Sequence, residues 1–357
     1  MSHSIKLTKP NDFHHHLRDG DMLKYTVPHC FNNFKNVVVM PNLVPPIITI
    51  ESALKYRERI LSNLDSDVLI KEDANPLIKD ANPLIKDANP LMTLYLSKEI
   101  PLEDLRNFKN VKEMIGIKFY PKNATTNSQY GIEDVNDFFS IFKVMEEEDI
   151  PLMIHGETIK PNVDIFKKEK VFIKEELTKI IENFPKLRII LEHITTKEAV
   201  DFVEKHNIHA TITPHHLLLD RNDIFKNGIN PHLYCLPILK KSKDREALVK
   251  AATSGKSNFF LGTDSAPHVE KNKLSSCGCA GVFNSLVANE IVIQIFEDNN
   301  SLHNLDNFLS LNGSRFYKLD INKEKITYVK ETWNVVDKVG DIVPLMCGKE
   351  LNWKKLK

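Results

Sequence analysis

The chain has 357 residues, of which 42% are hydrophobic, so it can bury a large core and is not intrinsically disordered. Its 48 Lys and Arg residues balance 48 Asp and Glu residues, which leaves no basic excess to neutralise the phosphates of a nucleic acid. Five cysteines do not make a disulfide scaffold, and without a signal peptide or a long apolar run we expect reduced thiols in a cytoplasmic protein that does not bind membranes.

Short apolar runs alternate with amphipathic stretches along the chain. Eight runs predict strands: Phe13–Leu17, Val37–Met40, Met92–Leu96, Ile115–Tyr120, Leu152–His155, Arg188–Glu192, Ala210–Thr213 and Phe259–Gly262. Amphipathic stretches predict helices between them, for example Glu51–Leu64, Val135–Glu148, Ile173–Asn183, Lys197–His206 and Lys243–Thr253. Eight strand–helix repeats, with no G-x-G-x-x-G motif after an early strand, indicate a single-domain α/β protein with a (β/α)8 TIM barrel rather than an open dinucleotide-binding sheet.

Residues 70–91 interrupt this pattern with a repeated unit, IKEDANPL followed by two copies of IKDANPL. Every copy contains a proline, which breaks helices, and the unit is much shorter than the repeats of solenoid proteins. We interpret the segment as a surface insertion within a barrel domain that spans residues 1–357, with its last copy merging into the following strand. An expanded low-complexity tract without a function explains it equally simply.

Ionisable residues end several of the predicted strands, which is where the active sites of TIM barrels lie. The candidates are His14, His16, Lys118, His155, His193 and Asp264. Because side chains alternate along a strand, His14 and His16 should project together and His15 should point the other way. Four imidazoles and a carboxylate suit zinc, and six candidates are too many for one open site but suit two ions. Lys118 is either a buried or phosphate-binding amine or, after taking up carbon dioxide, a carbamate that bridges two metal ions.

Cys277 and Cys279 form a C-x-C motif near the C-terminal part of the barrel. Two thiols are too few for a separate zinc site, and we interpret them as reduced cysteines in a loop.

The order of the motifs resembles that of the dihydroorotases of the shorter, bacterial-type class within the amidohydrolase superfamily. The matching segments are FHHHLRDGDMLK at 13–24, VVMPNLVPP at 38–46, IKFYPKNATTNS at 117–128, PLMIHGE at 151–157, LEHITTKEA at 191–199, LYCLPILK at 233–240, LGTDSAPH at 261–268 and SSCGCAG at 275–281. They cover nearly the whole chain, and the insertion at 70–91 is the main departure. A second departure is His15, because the family usually has an apolar residue between the two histidines.

The resemblance implies a hydrolase of pyrimidine biosynthesis that interconverts N-carbamoyl-L-aspartate and L-dihydroorotate, usually as a homodimer. It implies two zinc ions per subunit: one held by His14, His16 and Asp264, the other by His155 and His193. Carboxylated Lys118 and a hydroxide would bridge the two ions. Asp264 would also transfer the proton between the hydroxide and the ring nitrogen.

The resemblance also assigns the substrate contacts. Arg18, Asn42 and His268 would bind the substrate carboxylate, and the backbone of Leu236 and Ala280 would contact the ring. Thr125 and Thr126 would lie in a loop that closes over the substrate and excludes water. From the residues alone, Arg18 could instead form a structural salt bridge with Asp19 or Asp21.

Two alternative functions stay open. A hydantoinase or allantoinase would share the metal ligands but would not need the carboxylate-binding set of Arg18, Asn42 and His268. A non-catalytic scaffold of the same fold would be expected to lose metal ligands, whereas all six positions are present here.

Overall fold

The computed structural model describes residues 3–64 and 88–356. Strand β1 (Ser4–Thr8) precedes a parallel sheet whose strands pair in chain order. These strands are β2 (Asp12–His15), β3 (Asn36–Val39), β4 (Asn89–Tyr95), β5 (Met114–Phe119), β6 (Leu152–His155), β7 (Ile189–Glu192), β8 (His209–Ile212) and β9 (Phe259–Leu261). The sheet closes beyond β9, where Asp264 N–H donates to His14 O at 2.8 Å and His16 N–H donates to Ser265 O at 3.0 Å. The predicted TIM barrel is therefore confirmed, and each predicted strand matches an observed one to within three residues at each end; the largest difference is at the start of β4.

Helices occupy the connections between the strands. They are Leu23–Asn33, Ile50–Leu61, Leu102–Asn107, Phe139–Glu147, Lys168–Phe172, Thr178–Asn183, Lys197–His206, Pro214–Leu218, Ser242–Thr253, Glu270–Lys273, Ala288–Asp298 and Asn312–Phe316. A wider π-helical turn, Ile173–Leu177, joins two of them, and another, Asn307–Leu311, leads into the last. No helix within the described ranges is long and apolar enough to cross a membrane.

Alternation along the strands divides the apolar residues into two cores. In β3, Val37 and Val39 belong to the large core that also includes the helices. Val38 instead packs in a smaller cluster with Phe13 and Phe260, which fills part of the barrel interior. This is the period-two pattern expected for strands that are buried on both faces. The polar side chains considered below lie at the C-terminal end of the barrel.

A second, antiparallel sheet lies outside the barrel and was not predicted. It joins β1 to β10 (Lys325–Asn334) and β11 (Glu350–Lys355), with Ser4 opposite Val329. Trp353 of β11 is fully buried, and its indole N–H donates to Glu297 Oε2 at 3.1 Å. The sheet thus ties both ends of the described chain to the helix Ala288–Asp298.

Most of the repetitive segment 70–91 lies outside the described residues. Its last copy is the exception, because Asn89, Pro90 and Leu91 begin β4 as the sequence predicts. The interpretation of the rest as a surface insertion stays a prediction.

Candidate active site

Three side chains of metal-ligand type converge at the C-terminal end of the barrel. His16 Nε2 lies 3.1 Å from Asp264 Oδ1, and His14 Nε2 lies 3.6 Å from the same oxygen. All three side chains are buried, and one ligand atom from each lies within 4.8 Å of the others. The three residues therefore form a compact cluster of two imidazoles and one carboxylate.

His15 points away from this cluster, as the alternation of side chains predicts. Its Nδ1 lies 2.6 Å from Asp12 Oδ2 and 3.6 Å from Cys30 Sγ. Asp12 also accepts a hydrogen bond from the Thr263 hydroxyl at 2.5 Å. His15 thus helps to join β2 to the segment after β9 and to the first helix, and it is not a member of the cluster.

Local backbone geometry fixes the direction of these side chains. A Cβ atom at Gly262 would lie 2.8 Å from the Cβ atoms of both His14 and Thr211, so glycine allows the close approach of the strands. His193 and Asp264 have φ values of 40° and 44°, in the left-handed region that disfavours side chains. Such strain costs on the order of 1–3 kcal/mol per residue and is commonly found at active sites.

His155 and His193 lie beside the first cluster. Their ring centroids are 4.8 Å apart, and the His193 ring is 4.9 Å from that of His14. His155 Nε2 lies 2.8 Å from Glu157 Oε2. His193 Nδ1 is buried without a hydrogen-bond partner in the part of the chain that the structure describes. A second group of imidazoles is thus available to a ligand next to the first.

Lys118, at the end of β5, brings a buried amine to the same place. Its Nζ has no hydrogen-bond partner among residues 3–64 and 88–356 and lies 5.2 Å from the centroid of the Tyr120 ring. Burial lowers the pKa of Lys118 to about 8, while the carboxylates of Glu192 and Asp264 oppose this shift. Because an unpaired buried ammonium is costly, the neutral fraction of the Lys118 amine is larger than that of an exposed lysine.

Burial also controls the protonation of the other candidates. It lowers the pKa values of His14 and His193 well below the usual value, and the neighbouring Lys118 lowers them further. Burial lowers the pKa of His16 in the same way, with Arg18 as the next cause. The imidazoles of His14, His16 and His193 are therefore neutral, which is the form that binds metal ions.

Glu192, which immediately precedes His193, was not among the residues predicted from the strand ends. Its Oε2 lies 2.8 Å from His14 Nδ1 and accepts a hydrogen bond from the Thr211 hydroxyl at 2.5 Å. Burial raises the pKa of Glu192 to about 7, and Lys118 opposes the shift. Its place in the motif LEH was the only available sequence signal.

Arg18 and His268 lie together at the edge of the metal-ligand cluster. Arg18 Nη2 is 3.0 Å from His268 Nε2, and Arg18 Nε donates to Pro267 O at 3.1 Å. Asp19 pairs with Arg59 instead, at 2.7 Å. The salt bridge between Arg18 and Asp19 that the sequence left open is therefore absent, and the guanidinium is held in place mainly by the segment that carries His268.

The loop that contains Thr125 and Thr126 is connected to this edge by hydrogen bonds. Asn42 Oδ1 lies 2.9 Å from His16 Nδ1, and Asn42 Nδ2 donates to Thr126 O at 2.9 Å. The Thr126 hydroxyl donates to Ala280 O at 3.2 Å, and His268 Nε2 lies 3.0 Å from that oxygen. Asn42 therefore contacts a metal-ligand candidate and the loop at the same time.

The segment that contains Leu236 lies beside the segment that contains Ala280. Gly281 N–H donates to Tyr234 O at 2.9 Å. The structure thus places the two segments that were predicted to offer backbone groups to a substrate next to each other.

Two cysteine-containing groups do not form comparable sites. His215, His216 and Cys235 are close together, but Thr213 Oγ1 and Pro237 O lie 2.7 and 3.0 Å from the two ring nitrogens of His216. Cys277 and Cys279 are free, as are the other three cysteines of the chain. We therefore assign no metal to either group.

Comparison with known proteins gives a consistent family. The model of the amidohydrolase family matches residues 12–346. The dihydroorotase of Acaryochloris marina is 48% identical over 98% of both chains. The mitochondrial dihydroorotase of Arabidopsis thaliana is 43% identical over 99% of this chain and 91% of that protein.

Solved structures extend the comparison. Dihydroorotase from Saccharomyces cerevisiae, in complex with 5-fluoroorotic acid, has a TM-score of 0.87 and 32% identity over 99% of this chain and 98% of its own. Dihydroorotase from Campylobacter jejuni has a TM-score of 0.86 and 35% identity, and the match covers 100% of this chain and 98% of that protein. The L-hydantoinase of Arthrobacter aurescens, at 12% identity and a TM-score of 0.77, shares the fold alone.

Proposed function

The chain belongs to the amidohydrolase family, and we propose that it works as a dihydroorotase of pyrimidine biosynthesis. It is a hydrolase of cyclic amide bonds, and its substrates are L-dihydroorotate and the open form, N-carbamoyl-L-aspartate. The observation that carries the proposal is the position of the Arg18–His268 pair beside the cluster of His14, His16 and Asp264. The cluster suits hydrolysis of an amide, and the guanidinium suits a substrate that carries a carboxylate.

We propose that the site holds two zinc ions. His14, His16 and Asp264 would hold one, His155 and His193 the other, and carboxylated Lys118 would bridge them. The buried nitrogens without partners in the described chain, namely His14 Nε2, His193 Nδ1 and Lys118 Nζ, support this assignment because each needs a ligand to offset its desolvation. When bound, such ions act as Lewis acids and lower the pKa of water to about 7.

Asp264 is the proposed general base and acid. Its carboxylate accepts a proton from the attacking water in the ring-opening direction and returns it to the leaving ring nitrogen. In the ring-closing direction the proton moves the opposite way. Burial raises the pKa of Asp264 to about 7, with Lys118 as the main opposing group, in the protein without metal ions.

Substrate binding depends on charge and on the closing loop. Arg18 would offer a planar pair of donors to the substrate carboxylate, and Asn42 and His268 would add further polar contacts to it. The backbone of Leu236 and Ala280 would contact the ring, and the loop with Thr125 and Thr126 would exclude water during the reaction.

Turnover by the purified, zinc-supplemented chain tests this function. We expect it to interconvert L-dihydroorotate and N-carbamoyl-L-aspartate and to leave hydantoin, which lacks the carboxylate, essentially unchanged. Faster hydrolysis of hydantoin than of dihydroorotate would favour the hydantoinase alternative. Failure to bind metal and to turn over either compound would favour a scaffold.

The compartment and the assembly state are further proposals. Free thiols at all five cysteines support a reducing compartment such as the cytosol. A homodimer, as the family resemblance suggests, is testable by sedimentation of the purified chain.

A further inference from the structure

We propose that Lys273 is a positioning residue that holds together the two backbone segments that bind the substrate ring. It ends the short helix Glu270–Lys273, and the residue is only 4% exposed. Its Nζ donates hydrogen bonds to three carbonyl oxygens: Tyr234 at 2.9 Å, Cys279 at 2.8 Å and Gly281 at 2.8 Å. All three donors of the ammonium group are therefore used, and all three acceptors belong to the backbone.

The acceptors lie on the two motifs that the proposed function assigns to ring binding, so the inference rests on that function. Tyr234 is two residues before Leu236, in the segment 233–240. Cys279 and Gly281 are the neighbours of Ala280 on either side, in the segment 275–281. Lys273 thus connects the segments at the residues that flank the proposed contacts.

The position of the Ala280 carbonyl matters because two residues of the proposed substrate site contact its oxygen. The Thr126 hydroxyl donates to this oxygen at 3.2 Å, and His268 Nε2 lies 3.0 Å from it. His268 in turn contacts Arg18 at 3.0 Å. Because Lys273 binds the carbonyl groups of the residues on either side of Ala280, it also restrains the Ala280 carbonyl, which the Thr126 hydroxyl and His268 contact.

A merely apolar residue could fill the volume of Lys273 but could not replace its bonds. No carboxylate forms a salt bridge with Lys273 in the described ranges, so the cost of burying the ammonium is offset by carbonyl oxygens and by the Tyr234 ring, 5.8 Å away. Removing the ammonium group takes one hydrogen-bond donor from each of three buried or partly buried carbonyl oxygens. We therefore expect the loss to shift the segments rather than to unfold the barrel.

Substitution of Lys273 by methionine tests the inference. Lys273→Met should raise KM for L-dihydroorotate by about tenfold or more and change kcat by less than about threefold, because it alters binding before the chemical step. Zinc content should remain that of the unaltered chain. Lys271→Met, at an exposed position on the same helix, is the matched control and should leave both constants unchanged.

Rescue separates positioning from a purely structural role. In Lys273→Ala, n-propylamine supplies the missing atoms and should lower KM towards its original value. Tetramethylammonium, which has the charge but no N–H donor, should not.

Several results would overturn the inference. An unchanged KM in folded, zinc-loaded Lys273→Met, or a loss of kcat at constant KM, would contradict it. Equal lowering of the KM of Lys273→Ala by n-propylamine and by tetramethylammonium would also contradict it. If Lys273→Met does not fold, Lys273→Arg provides the same comparison, and a normal KM in that variant, despite its planar donor group, would count against the need for this geometry. Absence of turnover by the unaltered chain would instead contradict the proposed function.

Discussion

The His14 imidazole and the Glu192 carboxylate are joined by a 2.8 Å contact between Nδ1 and Oε2. This contact orients the ring so that Nε2 faces Asp264. A carboxylate on the far nitrogen fixes the tautomer of a metal-binding histidine and makes the other nitrogen a better ligand. Glu192 comes from β7 and His14 from β2, so the fold brings them together from positions 178 residues apart.

We expect Glu192→Gln to weaken metal binding by about 10- to 100-fold, because an amide supports the histidine less well than a carboxylate. The measurement is zinc content after dialysis against graded chelator concentrations. Glu204→Gln is a suitable control, because Glu204 instead forms a salt bridge with Lys256 at the surface. Equal zinc retention by Glu192→Gln and the unaltered protein would contradict the assignment.

Carbamate formation on Lys118 gives a prediction about bicarbonate. The buried, unpaired Nζ should take up carbon dioxide, and the product should be stabilised by metal ions. We therefore expect metal-free protein to regain activity with zinc much faster in the presence of bicarbonate than in carbon dioxide-free buffer. Lys118→Arg should show no such dependence and almost no activity. Recovery at the same rate in both buffers would argue against the carbamate.

Arg18→Lys should raise KM for both natural substrates, because an ammonium group cannot reproduce a planar, two-donor contact with a carboxylate. A rise of about tenfold corresponds to the loss of roughly one charge-assisted hydrogen bond. Lys24→Arg, in the helix that follows Arg18, is the control: it also exchanges one basic side chain for the other, and it should leave KM unchanged. Zinc content should be the same in Arg18→Lys and in the unaltered protein. A parallel loss of zinc would indicate a general disturbance of the site.

The fold and much of the site were predictable because they depend on short-range periodicity. Alternation within the strands brought His14 and His16 to one face, and the barrel topology gathered residues from β2, β5, β6, β7 and the end of β9. Contacts between distant segments were not predictable in this way. The pairing of β1 with β10 joins segments more than 300 residues apart, and Lys273 reaches backbone atoms whose position no side-chain pattern reveals.

Thr126→Val tests the closing loop. The substitution keeps the shape of the side chain but removes the hydroxyl that donates to Ala280 O. We expect kcat to fall by about tenfold, since the loop would exclude water less often, while zinc content stays unchanged. Thr178→Val, in a helix outside the site, is the control. An unchanged kcat would show that closure does not depend on this hydrogen bond.

Glu290 provides a prediction about stability that is independent of the metal site. It lies in the helix Ala288–Asp298, is 4% exposed, and has one carboxylate oxygen without a partner in the described chain. Burial raises its pKa from 4.5 to about 7, and a backbone hydrogen bond and nearby Lys355 only partly oppose this shift. The folded protein therefore binds this proton more tightly than the unfolded chain does.

Below pH 4.5 the carboxyl group is protonated in both states and carries no penalty. As the pH rises towards 7 the unfolded chain loses the proton first, so the contribution to stability decreases, and above about pH 7 the penalty is constant at no more than about 3 kcal/mol. Glu290→Gln removes this penalty, because the amide stays neutral. We therefore expect the variant to unfold at higher urea concentration than the unaltered protein at pH 8, and by a much smaller margin at pH 5. Glu103→Gln, at an exposed position, should show no difference at either pH. A gain in Glu290→Gln of equal size at both pH values would mean that packing, rather than ionisation of the buried carboxyl group, causes it.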